Sequence, residues 1–338
     1  MREKQHQKIS ELRQDLVSGD WVVIATALGK RPHAFSGQPA SISQPKSDCP
    51  FEYPPDGGEQ NQLLQYNYKD SKNGWAVMVV PNKFPAFTPF AGKLAFKKDG
   101  PYQWLPGEGF HELFISRDHE RHIPELTPEE AGALVCAYRD RYRAVSQEKN
   151  IAYALIFHNH GHEAGASLGH LHSQMTAMPV VPMSVAENLR GSNRYFREKG
   201  KCVHCVMIRH ELRSKKRLVE ENDRFILSVP FASEIAFELR IFPKKHQSNF
   251  GALLDDDISN LAQMLKRALG KLKKGLNDPA YNFFIHTAPA GDNYHHYHWH
   301  IEILPKTSTW AGFEIGTGIE ISSITPEDAA KFLRSIKV

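Results

Sequence analysis

The chain has 338 residues, of which 41% are apolar and 24% charged, and its formal net charge is +4. These values argue against a disordered chain and leave room for two globular domains of about 150 residues each. They also argue against nucleic acid as a partner, because the densest basic run, 266–274, has helical spacing and is interpreted as a solvated helix face.

The first residues predict neither secretion nor membrane insertion. Residues 1–15 are polar, and no apolar run approaches the ~20 residues that a membrane-spanning helix needs. We therefore expect a cytoplasmic protein with no membrane partner. In a reducing compartment, cysteines act as thiols or metal ligands before they form disulfides, and the four here are Cys49, Cys136, Cys202 and Cys205.

In the first half, the pattern predicts strands over 75–80 and 151–157 with a helix between them. Thr127 is a good N-cap for that helix, because a proline and two glutamates follow it and apolar residues then recur at helical spacing. A loop of small residues, 161–169, leads into a strand that carries a His-x-His motif, His170 and His172.

The second half repeats this order. It predicts a strand over 224–229, a helix that begins near Asp255, a strand over 281–285 and a second His-x-His motif at 298–300. The motifs lie 128 positions apart, and the same offset carries position 158, a histidine, onto 286, also a histidine. Gene duplication is the simplest explanation of this register.

The order of elements predicts an α+β fold made of two domains, each a mostly antiparallel sheet with a long packed helix. We place the boundary between residues 1–180 and residues 181–338.

The two His-x-His motifs differ in a way that predicts different roles. Residues i and i+2 of a strand share a face, so His170, His172 and Gln174 are expected to point the same way. The small residues of the preceding loop, with Ser167, let backbone N–H groups approach phosphate oxygens. In the second motif Glu302 stands in place of Gln174; a carboxylate would repel phosphate but could orient a metal-bound imidazole. We therefore expect chemistry in the first half only.

Further short segments match a known pattern, in the same order along the chain. They are 11–15 with 19–24, 30–32, 49–51, 80–85, 165–174, 230–232 with 237–238, 286–289, 298–302 and 311–318. Together they resemble the galactose-1-phosphate uridylyltransferase family, a tandem branch of the histidine-triad superfamily, over almost the whole chain. The resemblance implies two histidine-triad-like domains, a catalytic one over residues 1–180 and one that carries metal- and sugar-binding residues over residues 181–338. The chain departs from the family at Gly169 and Leu171, where prolines are common, and at Ser322, where relatives have a polar amide.

The resemblance implies that His172 attacks the α-phosphate of a nucleotide sugar and forms a covalent nucleotidyl-histidine. A neutral imidazole is a good nucleophile near pH 7, which agrees with this role. The implied catalytic residues are His172, Gln174, Ser167 and His170. The implied substrate contacts are Asn159 and Gly165 near the phosphates, Arg31 at phosphate or sugar, Asn82 and Phe84 at the nucleoside, and Gly312, Phe313, Glu314 and Thr317 at the hexose.

The family also implies two metal sites. The first is a structural zinc site, matched here by Cys49, His119 and His170, with Glu52 where the family has a second cysteine. Glutamate can ligate zinc, so partial occupancy and loss of the metal both stay open. The second site, for iron or zinc, is matched by Glu187, His286, His298 and His300. Cys202 and Cys205 form a separate CxxC that is either a metal pair or a loop thiol pair.

These observations predict an enzyme of the UDP-glucose:hexose-1-phosphate uridylyltransferase type, which would act in galactose metabolism as a homodimer on a nucleotide sugar and a sugar 1-phosphate. One alternative is a phosphorylase that uses the same histidine intermediate on an ADP-sugar or a dinucleoside polyphosphate. The other is a nucleotide-binding homologue without turnover.

Overall fold

The structure is a computed structural model that describes residues 10–26, 39–52, 62–69, 74–90, 94–291 and 294–338. Arg31, predicted to contact phosphate or sugar, lies outside these ranges. The strands are β1 Glu11–Gln14, β2 Trp21–Ile24, β3 Leu64–Asn67, β4 Trp75–Pro81, β5 Lys97–Asp99, β6 Tyr102–Trp104, β7 Phe110–Ser116, β8 Tyr153–His160, β9 His172–Met178, β10 Leu218–Glu221, β11 Phe225–Ser228, β12 Leu239–Pro243, β13 Tyr281–His286, β14 His300–Pro305 and β15 Glu320–Ser322. The helices are α1 Pro128–Ser146, α2 Met183–Lys199, α3 Val203–Ser214, α4 Asp255–Leu276, α5 Gly312–Thr317 and α6 Pro326–Ser335.

Ten strands form one antiparallel sheet in the order β10-β11-β12-β14-β13-β8-β9-β7-β4-β3. Its centre is the pair β8–β13, in which Phe157 lies opposite Phe284. Residues 1–180 supply five of the strands and residues 181–338 supply the other five. Pairing β8 with β13 removes two exposed strand edges, which would otherwise be open to aggregation. The predicted α+β class is confirmed.

The two long helices begin where the sequence predicts. Thr127 caps α1: its hydroxyl accepts from the Glu130 N–H at 3.2 Å, while the Glu130 carboxylate accepts from the Thr127 N–H at 2.8 Å. α4 begins at Asp255 and carries three aspartates in its first turn, which suits the helix dipole. Both helices contribute apolar faces to the main core, each buried leucine contributing about 1.5–3 kcal/mol.

One expectation about α4 is wrong. Lys271, in the basic run read as a solvated face, is only 3% exposed. Its ammonium donates to the backbone carbonyls of Leu333 and Ile336, at 3.2 and 2.8 Å. The end of α6 covers this part of α4, and backbone carbonyls at that helix end provide the acceptors that a buried lysine requires.

The remaining strands form two small sheets. β1, β2 and β15 make a three-stranded sheet in which β15 runs parallel to β2, so the N-terminal segment is tied to residues 320–322. β5 and β6 form an antiparallel hairpin. Among the described residues, no helix combines the length and apolarity needed to cross a membrane.

Candidate active site and metal-ligand clusters

The first His-x-His motif lies where β7 and β9 begin to pair. His172 is the first residue of β9 and lies opposite Ile115, whereas His170 lies in a bend just before the strand. His170 thus lies outside the strand, and its Nε2 donates to the Ser116 carbonyl at 2.7 Å. The Phe51 ring lies near both histidine rings, at centroid distances of 5.7 Å from His170 and 5.2 Å from His172.

The surroundings of His172 suit a nucleophile. Its Nδ1 donates to the His170 carbonyl at 2.9 Å, so the lone pair of the neutral ring is on Nε2. The Phe51 ring packs against the imidazole, with ring centroids 5.2 Å apart. His172 is 8% exposed, and this burial lowers its pKa despite the opposing effect of the hydrogen bond to His170. The ring is thus neutral near pH 7 and presents one basic nitrogen.

The loop before this motif is shaped by its glycines. A single turn of 3-10 helix, His162–Ala164, lies between Gly161 and Gly165, whose φ angles are +82° and +87°. Both angles are in the left-handed region that favours glycine. A Cβ at Gly161 would also lie 2.7 Å from the Cβ of Ala40. Gly165 and Ser167 of this loop are exposed, so both are accessible to a ligand.

Asn159 on β8 has a fixed side-chain orientation. The Asn282 side-chain nitrogen donates at 2.8 Å to the Ala164 carbonyl, which can only accept, and at 2.8 Å to Asn159 Oδ1. The Asn159 amide nitrogen must therefore point away from Asn282 and can donate to an anion. Sequence reasoning found Asn159 but missed Asn282, which lies on β13 and reaches Asn159 only because β8 and β13 pair.

Gln174 lies two residues after His172 on β9. Its Oε1 lies 2.9 Å from Nε2 of His111, a β7 residue that the sequence analysis did not single out. The same ring contacts the predicted nucleoside segment: Asn82 Nδ2 lies 3.1 Å from His111 Nε2, and Ala86 N lies 3.0 Å from His111 Nδ1. Phe84 in this segment is 82% exposed, which leaves its ring free to stack on a base.

The four residues predicted for the first metal site converge. Cys49 Sγ lies 3.4 Å from His170 Nδ1, and Glu52 Oε1 lies 3.2 Å from His119 Nδ1 and 3.8 Å from His170 Nδ1. The Nε2 of His119 donates to the Gln44 carbonyl at 2.7 Å, so its Nδ1 carries the lone pair. This Nδ1 is buried and, among the described residues, has no hydrogen-bond partner. An orphaned nitrogen beside a thiol and a carboxylate fits a metal ligand.

A second cluster corrects the other predicted metal site. Cys202, Cys205, His246 and His298 place one potential ligand atom each within 4.8 Å of one another. Cys205 Sγ lies 3.3 Å from His246 Nδ1 and 3.5 Å from His298 Nδ1. The His298 Nε2 donates to the Pro243 carbonyl at 3.0 Å, as His170 does to Ser116. A hydrogen bond from the neighbouring thiol lowers the pKa of Cys202, so the pair can offer a thiolate.

His298 therefore belongs with the CxxC pair and not with Glu187, His286 and His300. Glu187 lies on the exposed face of α2, where its carboxylate is 3.8 Å from Arg190. The clusters also follow the repeat offset: His119 and His170 correspond to His246 and His298, and each pair lies beside a Cys-x-x-Cys or Cys-x-x-Glu segment. This parallel supports the inferred duplication.

His286 and His300 contact a buried ionic network. His286 Nε2 lies 2.7 Å from Glu302 Oε2, and Arg240 donates to Glu302 at 3.1 Å and to Glu238 at 2.9 Å. Burial alone would raise the pKa of Glu302, but Arg240 and His286 hold it well below its usual range. Burial raises the pKa of Glu238 well above its usual range. Glu302 is thus the ionised partner of Arg240, and a carboxylate occupies the position at which the first half has the neutral amide of Gln174.

The predicted hexose contacts form α5. Within this helix the Glu314 carboxylate accepts from the Ala311 N–H at 3.0 Å, and the Thr317 hydroxyl donates to the Phe313 carbonyl at 2.7 Å. Gly312 and Phe313 are exposed at the beginning of the helix. The chain then continues into β15 of the small sheet, whereas His172 lies in the ten-stranded sheet.

The sequence matches a family model described as galactose-1-phosphate uridyl transferase, N-terminal domain, over residues 1–182. A model described as a domain of unknown function, DUF4921, matches residues 116–335. The chain is 37% identical to an ADP-glucose phosphorylase of Arabidopsis thaliana, over 97% of this chain and 93% of the relative. It is 28% identical to a galactose-1-phosphate uridylyltransferase of Thermotoga maritima, over 97% of this chain and 99% of the relative.

Solved structures give the same relationships. The fold is similar to that of an Arabidopsis thaliana ADP-glucose phosphorylase crystallised with bound ADP-glucose, with a TM-score of 0.81, 34% identity, and coverage of 98% of this chain and 100% of the other. It is also similar to a uridylyltransferase, with a TM-score of 0.74, 28% identity, and coverage of 97% and 98%.

Proposed function

Because the chain belongs to the galactose-1-phosphate uridylyltransferase family and is a nucleotidyltransferase, we propose that it is a phosphorylase of ADP-glucose. The observation that carries the chemistry is the hydrogen bond from His172 Nδ1 to the His170 carbonyl, which leaves Nε2 as the basic nitrogen. The choice of donor and acceptor is supported by the relative at 37% identity, against 28% for the uridylyltransferase. The hexose-1-phosphate acceptor predicted from the sequence is therefore the weaker interpretation.

The proposed reaction has two displacements at one phosphorus. In the first, His172 Nε2 attacks the α-phosphorus of ADP-glucose, an N–P bond forms, and the bond from phosphorus to the bridging oxygen breaks. Glucose 1-phosphate leaves with that electron pair. In the second, an oxygen of inorganic phosphate attacks the same phosphorus, the N–P bond breaks, and its electron pair returns to Nε2. ADP is released and the enzyme is unchanged.

Positioning and charge stabilisation dominate transfers of this type. Asn159 and Gln174 can each direct an amide nitrogen at the phosphates, because their oxygens are held by Asn282 and His111. Ser167 and the backbone at Gly165 supply further donors at the exposed edge of the loop. The predicted roles of Phe84 at the base and of α5 at the glucose are kept as part of this proposal.

We further infer that zinc binds at two places. Cys49, Glu52, His119 and His170 would hold one ion, and Cys202, Cys205, His246 and His298 would hold the other. Thiolate and imidazole are the donors that zinc prefers, and zinc in such closed sites stabilises folds. His170 precedes the nucleophile by two residues, so a ligand role there would fix the start of β9 and not take part in the chemistry.

The test is a donor-and-acceptor screen on the purified protein. Incubation with ADP-glucose in the absence of phosphate should add one nucleoside monophosphate per chain, detected by intact mass, and peptide mapping should place it on His172. Phosphate should then remove the adduct and release ADP. UDP-glucose and diadenosine tetraphosphate are tested as competing donors, and galactose 1-phosphate as the competing acceptor.

Two variants make the result specific. His172→Ala should form no adduct, whereas His210→Ala, which removes an exposed histidine of α3, should react like the wild type. Faster reaction of UDP-glucose with release to galactose 1-phosphate would restore the uridylyltransferase interpretation. An adduct on any other residue would overturn the role of His172.

A further inference from the structure

His111 connects the catalytic strand to the nucleoside segment. It lies on β7, two residues before Leu113, which is opposite Gln174 in the β7–β9 pair. Its Nε2 is 2.9 Å from Gln174 Oε1, and its Nδ1 is 3.0 Å from the backbone nitrogen of Ala86. Its own carbonyl accepts from the Asn82 N–H at 2.8 Å. One side chain thus contacts both the residue beside the nucleophile and the loop predicted to hold the base.

The tautomer of His111 follows from its partners. The Ala86 backbone N–H can only donate, so His111 Nδ1 accepts and the proton of the neutral ring is on Nε2. Nε2 must then donate, and the group of Gln174 that faces it must be the oxygen. Asn82 Nδ2, 3.1 Å from the same Nε2, also carries hydrogen, because Asn82 Oδ1 accepts from the Phe84 N–H at 2.9 Å. The Asn82 donors are therefore also left for a ligand.

We propose, on the basis of the function proposed above, that His111 is a positioning residue that sets the orientation of the Gln174 amide. With its oxygen held by His111, Gln174 directs its NH₂ group away from β7, on the face it shares with His172. A free amide would present oxygen as readily as nitrogen to the transferred phosphate, and the oxygen would repel it. A donor fixed before the reaction begins stabilises the transition state more than one that must reorient.

The second half of the chain supplies the contrast. There Arg240 lies opposite Glu302, as Leu113 lies opposite Gln174, and Glu238 precedes Arg240 by two residues. The side-chain oxygens of Glu238 and Glu302 both accept from Arg240. In that half the charged side chains therefore bind one another, whereas in the half with the nucleophile the Gln174 amide nitrogen stays available to a ligand.

Two substitutions separate the contacts of His111. In His111→Gln, an amide nitrogen can take the place of Nε2 and still donate to Gln174, but the acceptor for Ala86 is lost. In His111→Asn, an amide oxygen can take the place of Nδ1 and still accept from Ala86, but the donor to Gln174 is lost. We therefore expect His111→Asn to slow the chemical step and His111→Gln to weaken the binding of ADP-glucose.

The experiment measures the single-turnover rate of nucleotidylation by ADP-glucose and the KM for ADP-glucose, in otherwise wild-type protein and in a Gln174→Ala background. His111→Asn should slow nucleotidylation by about tenfold to a hundredfold, with KM within about twofold of wild type. This slowing is smaller than the ~10²–10³-fold loss of rate that follows when a hydrogen-bond donor to the transition state is removed altogether. His111→Gln should keep the rate within about threefold and raise KM. Once Gln174 is alanine, His111→Asn should slow the reaction less than about twofold.

Equal slowing by both His111 variants would indicate a merely structural role and overturn the proposal. So would an equally large effect of His111→Asn in the Gln174→Ala background. Thermal unfolding of each variant checks that the fold is kept. If wild-type protein forms no adduct with ADP-glucose, the proposed function itself is wrong, which is distinct from an adduct that forms without coupling between His111 and Gln174.

Discussion

Glu302→Gln should destabilise the fold and leave nucleotidyl transfer intact. The Glu302 carboxylate is 8% exposed and accepts from Arg240 at 3.1 Å, with His286 Nε2 at 2.7 Å. Burial raises the pKa of Glu238, whereas Arg240 and His286 hold the pKa of Glu302 low, so Glu302 is the main carboxylate that balances the Arg240 charge. The Asp15 carboxylate lies 3.6 Å from Nη1 of Arg240, so it would balance only part of the Arg240 charge once the Glu302 charge is removed.

Removing one partner of a buried ion pair costs about 3–5 kcal/mol, since the other charge stays buried without compensation. The residual contribution of Asp15 places the expected loss near the lower end, about 3 kcal/mol. With an unfolding entropy of about 2.1 cal/mol/K per residue, a chain of 338 residues should lose about 4 °C of Tm.

Differential scanning calorimetry measures the shift, and the adduct assay with ADP-glucose measures the chemistry. Glu221→Gln is the matched control, because it breaks an exposed pair, Lys244 to Glu221 at 2.7 Å, and should cost less than about 1 kcal/mol. A Tm of Glu302→Gln within about 1 °C of wild type would refute the reasoning about Arg240. Loss of adduct formation at unchanged Tm would instead place Glu302 in the chemistry.

Three further predictions concern pH and metals. Burial lowers the pKa of His172 below its usual value of 6.5, so the pH at which the rate of adduct formation is half-maximal should lie below 6.5; a midpoint above 6.5 would contradict this. Zinc per chain, measured by elemental analysis, should fall with Cys205→Ser and rise with Glu52→Cys, because thiolate is the better ligand; unchanged contents would exclude both clusters as zinc sites. Burial lowers the pKa of His122 to about 4, so the unfolded chain takes up this proton first and stability falls between pH 6.5 and 4. His122→Asn should reduce that fall in the free energy of unfolding, measured by urea titration, by up to about 3 kcal/mol; an identical fall would count against it.

The sequence by itself determined the local features. A proline and two glutamates after Thr127 form a capping box that depends on neighbours along the chain, so the start of α1 could be predicted closely. Apolar periodicity likewise predicted α4 and the strands β4, β8, β11 and β13. The His-x-His spacing and the ordered segments identified the family and the nucleophile candidate. The Cys49, Glu52, His119 and His170 set was found only because the resemblance supplied it.

Only the tertiary structure decided which distant side chains meet. Cys205 is 41 residues from His246 and 93 from His298, and no periodicity links them. The same holds for His111 and Gln174, which meet because β7 pairs with β9 in one register, and a shift of one residue would turn either side chain to the other face. Glu187, in contrast, lies on the exposed face of α2 beside Arg190, and the sequence pattern did not show which face of that helix would meet solvent. The pattern of neighbouring residues determines where helices and strands form. Contacts between these elements depend on strand order and register, which cannot be read from composition or residue spacing.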